Sequence, residues 1–459
     1  MGVAEHWISV GAQWIGSARA DVALLDFVLV NTSCPCKMFA VTTGRTLQSL
    51  RGSSLVRSLR LRFRCLWTAS AVPLVFWALL NVCSAQAHDV LCSHGDTAFE
   101  ADSMTGVKVS IGPQRDGGMA TRICHARLSW GKQELVVASD ASQVDLDAFG
   151  VYLDADTPVA AFQIRKEEVE CCRTYAIYSL AKPPKLLRTI TGGEFFRAAD
   201  SDLDGRIEIW TEDTEAINGF EGLLPSEMRF VPTCVLRLQG GRLWDVGSEF
   251  QSYFDEIIAK VRGEINPERL RDFKLSDGRL GLSNFLSAEQ LERMSRLRVV
   301  KIQALEIVWA YLYSGREQEA WHSLADLWPA GDVERIRSAI LKARDRGIRA
   351  QVDDVSAVTV VNRKKPVRVY NESKVTPAQF IMLRLYLSGL DQRRIPEASV
   401  PVDLVIDSAG KVRSVGQEGG ATWADQYLES SVLEWKFIPA FKGHQPVASR
   451  LRTVVHFLR

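Results

Sequence analysis

Short alternating or β-branched runs fill the chain between about residues 90 and 245. "VKVSIG", "ARLSW", "ELVVAS", "PVAAFQI", "TYAIYSL", "KLLRTI", "EFFRAAD", "RIEIWTE" and "VLRLQ" are separated by Gly, Asp and Pro at fairly regular intervals. A period of two marks half-buried strands, so residues 88–245 are predicted to form a β-rich domain, a sandwich or an unclosed propeller-like arrangement. The period changes near residue 248. Ile302, Leu305, Trp309 and Leu312 recur at spacings of three and four, Ser314-Gly315 is a stop signal, and Ala320, Leu324 and Trp328 continue on a second helix to Pro329. Val333, Ile336 and Ile340 mark a third amphipathic helix, so 246–350 reads as a helical region. Residues 351–397 connect, with a β-rich "AVTVVNRKKPVRVYN" and a predicted helix "TPAQFIMLRLYLSGL".

Residues 398–459 return to strands. "SVPVDLVID" alternates, "SAGK" turns the chain into "VRSVG", and "WADQYLESSVLEW" carries Ala424, Tyr427, Leu428 and Val432 on one helical face. "EWKFIPAF" and "RLRTVVHF" are two further predicted strands around Gly443, which makes a ββαβ or ββαββ order. The expected fold class is therefore multidomain α+β, with a β-rich N-terminal domain, a helical middle and a small C-terminal α+β domain.

Net charge adds little, because 56 Lys/Arg nearly balance 55 Asp/Glu, and no nucleic-acid partner is expected. Its distribution adds more. Eight of the basic and three of the acidic residues fall in 1–87, and Met38 to Ala87 holds six basic and no acidic ones. Arg51, Arg57, Arg60, Arg62 and Arg64 precede the apolar Cys65–Cys83 run, and Ala85-Gln86-Ala87 has the small residues of a cleavage site. Residues 38–87 read as a signal peptide, with a mature start near His88 and a periplasmic or secreted address. An uncleaved anchor is the alternative, and it would be the chain's sole membrane contact. Residues 1–37 precede the signal and are set aside.

An oxidising address gives the mature cysteines meaning. Cys92 and Cys124 are the natural local pair, while one of Cys171 and Cys172 is expected to reach Cys234, since neighbouring cysteines rarely bond each other. Five thiols leave at least one unpaired within the chain. The mature part has no C-x-x-C, H-E-x-x-H, G-x-S-x-G or P-loop pattern, and no catalytic residues are assigned.

"DSDLDGRIEI" is the strongest local chemistry. Asp200, Asp202 and Asp204 stand at alternate positions of a coiled loop, Gly205 permits the sharp turn, and the Arg206 carbonyl and Glu208 carboxylate would complete an oxygen cage suited to a structural Ca²⁺. Position twelve is Thr211 rather than Glu and the flanks are predicted strands, which argues against an EF-hand. The pattern resembles the calcium loop of FG-GAP (integrin-type) repeats, where it lies within a β-hairpin; an Asp-rich turn without metal stays open. Tyr311, Gly315, Ala320 and Leu324 similarly resemble one tetratricopeptide unit.

The C-terminal unit resembles the TonB C-terminal domain family, through "VDLVIDSAGKV", through "EWKFIPA" with Trp435, Phe437, Pro439 and Ala440, and through Gly443 and Pro446-Val447 before the last strand. This resemblance covers about sixty residues. It implies docking to an outer-membrane or other envelope protein by strand addition. On the last strand, Leu451, Thr453, Val455 and Phe457 face one way, and Arg450, Arg452, Val454 and His456 form the candidate partner face. The expected function is an exported, non-enzymatic protein-interaction protein. A secreted hydrolase or carbohydrate-binding protein with its site in the β-rich domain is the alternative.

Overall fold

The period-two runs fold into one long antiparallel meander. In the computed structural model, which describes residues 91–93, 98–116, 119–154, 157–166, 171–223, 227–280, 287–356, 368–382, 398–417 and 431–457, the strands follow chain order. They are β1 Cys92–Ser93, β2 Phe99–Asp102, β3 Lys108–Asp116, β4 Met119–Trp130, β5 Gln133–Val151, β6 Val159–Lys166, β7 Arg173–Ser179, β8 Lys185–Ala199, β9 Glu208–Glu212, β10 Thr233–Gln239, β11 Arg242–Asp245 and β12 Asp354–Val355. The hydrogen-bonded path runs unbroken from β2 to β12, with β1 added beside β5. One continuous path replaces the separate blades of the expected propeller-like arrangement, which regular turn spacing alone does not distinguish from it.

Two strands are long because each serves two sets of neighbours. The first half of β5 pairs with β4 and its second half with β6, across several register shifts. Likewise Lys185–Gly193 of β8 pairs with β7, and Glu194–Ala199 pairs with β9. The central strands are buried on both faces as a result. Val159 and Ala161 of β6, with Tyr175 and Ile177 of β7, face one core; Ala160, Phe162, Ala176 and Tyr178 face another.

The first core also takes in the helices, so the β-rich and helical regions share one interior. A short α1 (Thr214–Ile217) follows β9; α2 (Gln251–Glu264), α3 (Pro267–Lys274), α4 (Ala288–Tyr313), α5 (Glu317–Leu327) and α6 (Val333–Arg344) come after β11. Ser287 and Gln290 form a capping box at the start of α4. At its end Ser314 caps, and Gly315 takes φ +74°, a conformation that glycine adopts without a Cβ penalty. Ile302, Leu305, Trp309 and Leu312 are all buried, as their spacing requires. Among the described residues, no helix is long and apolar enough to cross a membrane. The predicted signal (38–87) and residues 1–37 lie outside the described residues.

C-terminal to β12 are β13 (Tyr370–Asn371), β14 (Gln379–Met382), β15 (Ala398–Ile406), β16 (Val412–Gln417), β17 (Lys436–Ile438), β18 (Ala440–Lys442), β19 (Gln445–Val447) and β20 (Ser449–Phe457). A four-stranded sheet has the order β13-β20-β15-β16. Two sequence expectations change here. The start of the predicted helix "TPAQFIMLRLYLSGL" is strand β14, antiparallel to β17 with Phe380 opposite Phe437. A short apolar run has no decisive period, and packing on the aromatic strand settles it; the remainder beyond Met382 lies outside the described residues. The strands flanking Gly443 also part company: β18 and β19 make a small hairpin, whereas β20 pairs along its whole length with β15. Trp435 and Phe437 are buried with Leu404, Ile406, Leu451 and Val455 in a third core. Of the predicted helix "WADQYLESSVLEW", residues 431–433 are described and helical.

Candidate functional site

The Asp200 loop joins β8 to β9. Its carboxylates are ordered by the loop's own amides: Gly205 N–H donates to Asp200 Oδ2 at 3.1 Å, Asp204 N–H to Asp202 Oδ1 at 3.2 Å, and Arg206 N–H to Asp204 Oδ1 at 2.8 Å. Gly205, at φ +89°, makes the turn. One oxygen from each of Asp200, Asp202 and Asp204 lies within 4.8 Å of the others. Asp200 is wholly buried and its Oδ1 has no hydrogen-bond partner. Burial, reinforced by Asp407, raises the Asp200 carboxyl to about 6. An orphaned carboxylate oxygen beside two further carboxylates fits a hard, oxygen-binding cation such as Ca²⁺.

The other two proposed ligands are placed differently. Glu208, also wholly buried, accepts from Arg237 Nη2 at 2.7 Å and from Ser201 N–H at 3.2 Å. Burial nonetheless lifts its carboxyl to about 7, against the pull of Arg237. Arg206 turns its guanidinium onto Asp204 Oδ2 at 2.6 Å and onto Glu249 at 3.1 Å. The structure thus brings together the carboxylates at positions one, three and five, while Arg237 engages the carboxylate at position nine. A strand-borne Glu is available to a buried arginine across the sheet, which sequence spacing does not reveal.

What the sequence reading missed is the layer beneath this loop. The turn between β15 and β16, Asp407 to Lys411, packs directly against it. Asp200 N–H donates to Asp407 Oδ2 at 3.0 Å, the Ser408 hydroxyl donates to Asp200 Oδ2 at 3.2 Å, and Arg413 donates to the Ser201 carbonyl at 2.5 Å. Asp407 Oδ1 accepts from the N–H groups of Ala409 and Lys411, folding the turn onto its own carboxylate. Lys411 then reaches inward to Asp147 Oδ1 at 2.7 Å, and Lys436 pairs with Asp145. Asp147 Oδ2 accepts from Tyr175 OH and Ala198 N–H, both at 2.7 Å. The available signal was "VDLDAF", two acids in the otherwise apolar second half of β5: buried carboxylates demand partners.

The candidate partner face lies on β20. Leu451, Thr453 and Val455 are buried, and the side chains of Arg450 and Arg452 are 49% and 66% exposed, each 3.7 Å from Asp403 on β15. Val454 is half-buried, and the His456 side chain lies outside the described residues. The last strand is not an outer strand at its start, since β13 pairs with Ser449 and Arg450 in parallel.

Cys92 and Cys124 form a disulfide between β1 and β4. Cys171 bonds its neighbour Cys172, which corrects the expected link to Cys234. That thiol is free and buried on β10, opposite Thr211 of β9, and burial raises its pKa well above the ordinary thiol value.

Fold and site together define a mixed α/β protein with a large sheet, several helices and an acidic loop clasped by a C-terminal turn. Compared with known proteins, the chain matches no family model, no curated protein and no solved structure.

Proposed function

We propose that this chain is an exported, non-enzymatic protein-interaction protein of the cell envelope. Its TonB-like C-terminal sheet docks an outer-membrane or other envelope protein by strand addition, and the Asp200 loop holds Ca²⁺ as a structural ion. The observation that carries this reading is the two-faced β20: its Leu451, Thr453 and Val455 row is buried, while Arg450 and Arg452 are displayed beside Val454. Among the described residues β13 spans two positions of that strand, a short ladder that an incoming extended segment can lengthen or replace. Main-chain hydrogen bonds would supply affinity, and the arginines would select an acidic or polar partner segment.

The test is photocross-linking from position 454 in envelope extract, with position 289 on α4 as an exposed control. A discrete adduct from 454, absent from 289 and lost in Arg450→Glu/Arg452→Glu, is expected. An adduct pattern indifferent to the charge reversal, or the same from both positions, overturns the reading.

A further inference from the structure

We infer that a divalent cation in the Asp200 loop seats the C-terminal turn Asp407–Lys411, and with it the four-stranded sheet, on the long meander. This rests on the calcium reading above and adds what the ion does. Asp200 is the hinge of the inference because its groups are divided between two parts of the chain. Its Oδ2 is shared by Gly205 N–H of its own loop and the Ser408 hydroxyl of the distant turn, and its N–H donates to Asp407. Its Oδ1 is buried without a partner, and one Asp200 oxygen lies within 4.8 Å of oxygens of Asp202 and Asp204, the set that an ion would take.

Charge points the same way. Four carboxylates, those of Asp200, Asp202, Asp204 and Asp407, meet around this junction. The guanidinium of Arg206 pairs with Asp204, while Arg413, bonded to the neutral Ser201 carbonyl, offsets part of the Asp407 charge. Lys411, paired with Asp147, offsets a further part. Like charges this close oppose the seating of the turn, and a doubly charged ion at the loop centre offsets them. The ion also fixes the orientation of the Asp200 carboxylate, so Ser408 finds an acceptor already in place. By linkage the effect is reciprocal: seating the turn raises the affinity of the loop for the ion.

Ca²⁺ alone is the probe, with calorimetric titration for binding and amide hydrogen exchange for seating, on the full chain. In the wild type, Ca²⁺ is expected to bind and to slow exchange across 407–413 and β15 by about fivefold or more. Asp202→Asn, at an exposed position, should weaken binding by about tenfold or more and abolish the slowing. Ser408→Ala should still bind, about fivefold more weakly, with a smaller slowing. Binding to the wild type without slowing at 407–413 overturns the seating role and leaves the calcium site standing. Wild-type affinity and full slowing in Ser408→Ala overturn it as well. No binding to the wild type removes both.

Discussion

The Lys411 ammonium lies 2.7 Å from Asp147 Oδ1, and the two side chains are 3% and 1% exposed. A residue from the β15–β16 turn is thereby buried in the middle of the meander, and its amine also reaches the Asp147 carbonyl. Burial lowers the Lys411 pKa, and Asp147 counters that pull. Replacing Lys411 by Met leaves a buried carboxylate whose remaining donors, among the described residues, are Tyr175 and Ala198. The expected loss is about 3–5 kcal/mol, read from denaturant melts, and Asp147→Asn in the same chain should restore part of it. A single variant within experimental error of wild type would mean that water already reaches the pair.

Gly410 and Gly443 both sit at positive φ, +81° and +66°, but in different surroundings. A Cβ at Gly410 would lie 1.9 Å from the Phe437 carbonyl oxygen, whereas one at Gly443 meets nothing within 4 Å. Phe437 N–H donates to the Gly410 carbonyl at 2.9 Å, so this strand cannot retreat without losing that bond. Gly410→Ala is expected to cost about 2–4 kcal/mol, backbone strain and overpacking together, and Gly443→Ala about 1 kcal/mol. Equal melting of the two variants would show that the turn gives way freely.

Asp213 confers a pH dependence of definite sign. Its carboxylate is wholly buried; it accepts from Tyr313 OH at 2.6 Å and from Ile348 N–H at 3.1 Å, yet burial raises its pKa to about 6. The folded state therefore holds this proton more tightly than the unfolded chain. Its stabilising contribution is complete below the ordinary carboxyl range and is lost as pH rises through about 6. The span corresponds to about 3 kcal/mol at most. Asp213→Asn cannot titrate, so its stability relative to wild type should improve between about pH 4 and 6.5. A difference that stays constant over that range would place the carboxyl at its ordinary value.

The α4 capping box predicts a smaller effect. Ser287 accepts from Gln290 N–H at 3.2 Å, and the Gln290 side chain returns to Ser287 N–H at 2.9 Å. Ser287→Ala should cost about 1 kcal/mol, with Ser287→Asp nearly neutral. If alanine and aspartate melt alike, the helix start is held by its packing instead.

Local periodicity by itself determined where the strands of the β-rich region and the long helices lie. The runs from "VKVSIG" to "VLRLQ" alternate because one or both faces of each strand must leave water, and α4 repeats every three or four residues for the same reason. The acidic loop was legible too, since D-x-D-x-D-G places three carboxylates on one small coil. Four things only the tertiary structure decided. "QFIM" became a strand because β17 set Phe437 opposite Phe380. Glu208 turned to Arg237, 29 residues away, because a buried carboxylate takes the nearest cation. Asp147 met Lys411 across 264 residues, and Asp200 met Ser408 across 208. Sequence pattern reports each residue's preference for water or interior over a few neighbours; which buried charges meet depends on how distant strands stack, and that is settled only when the chain closes on itself.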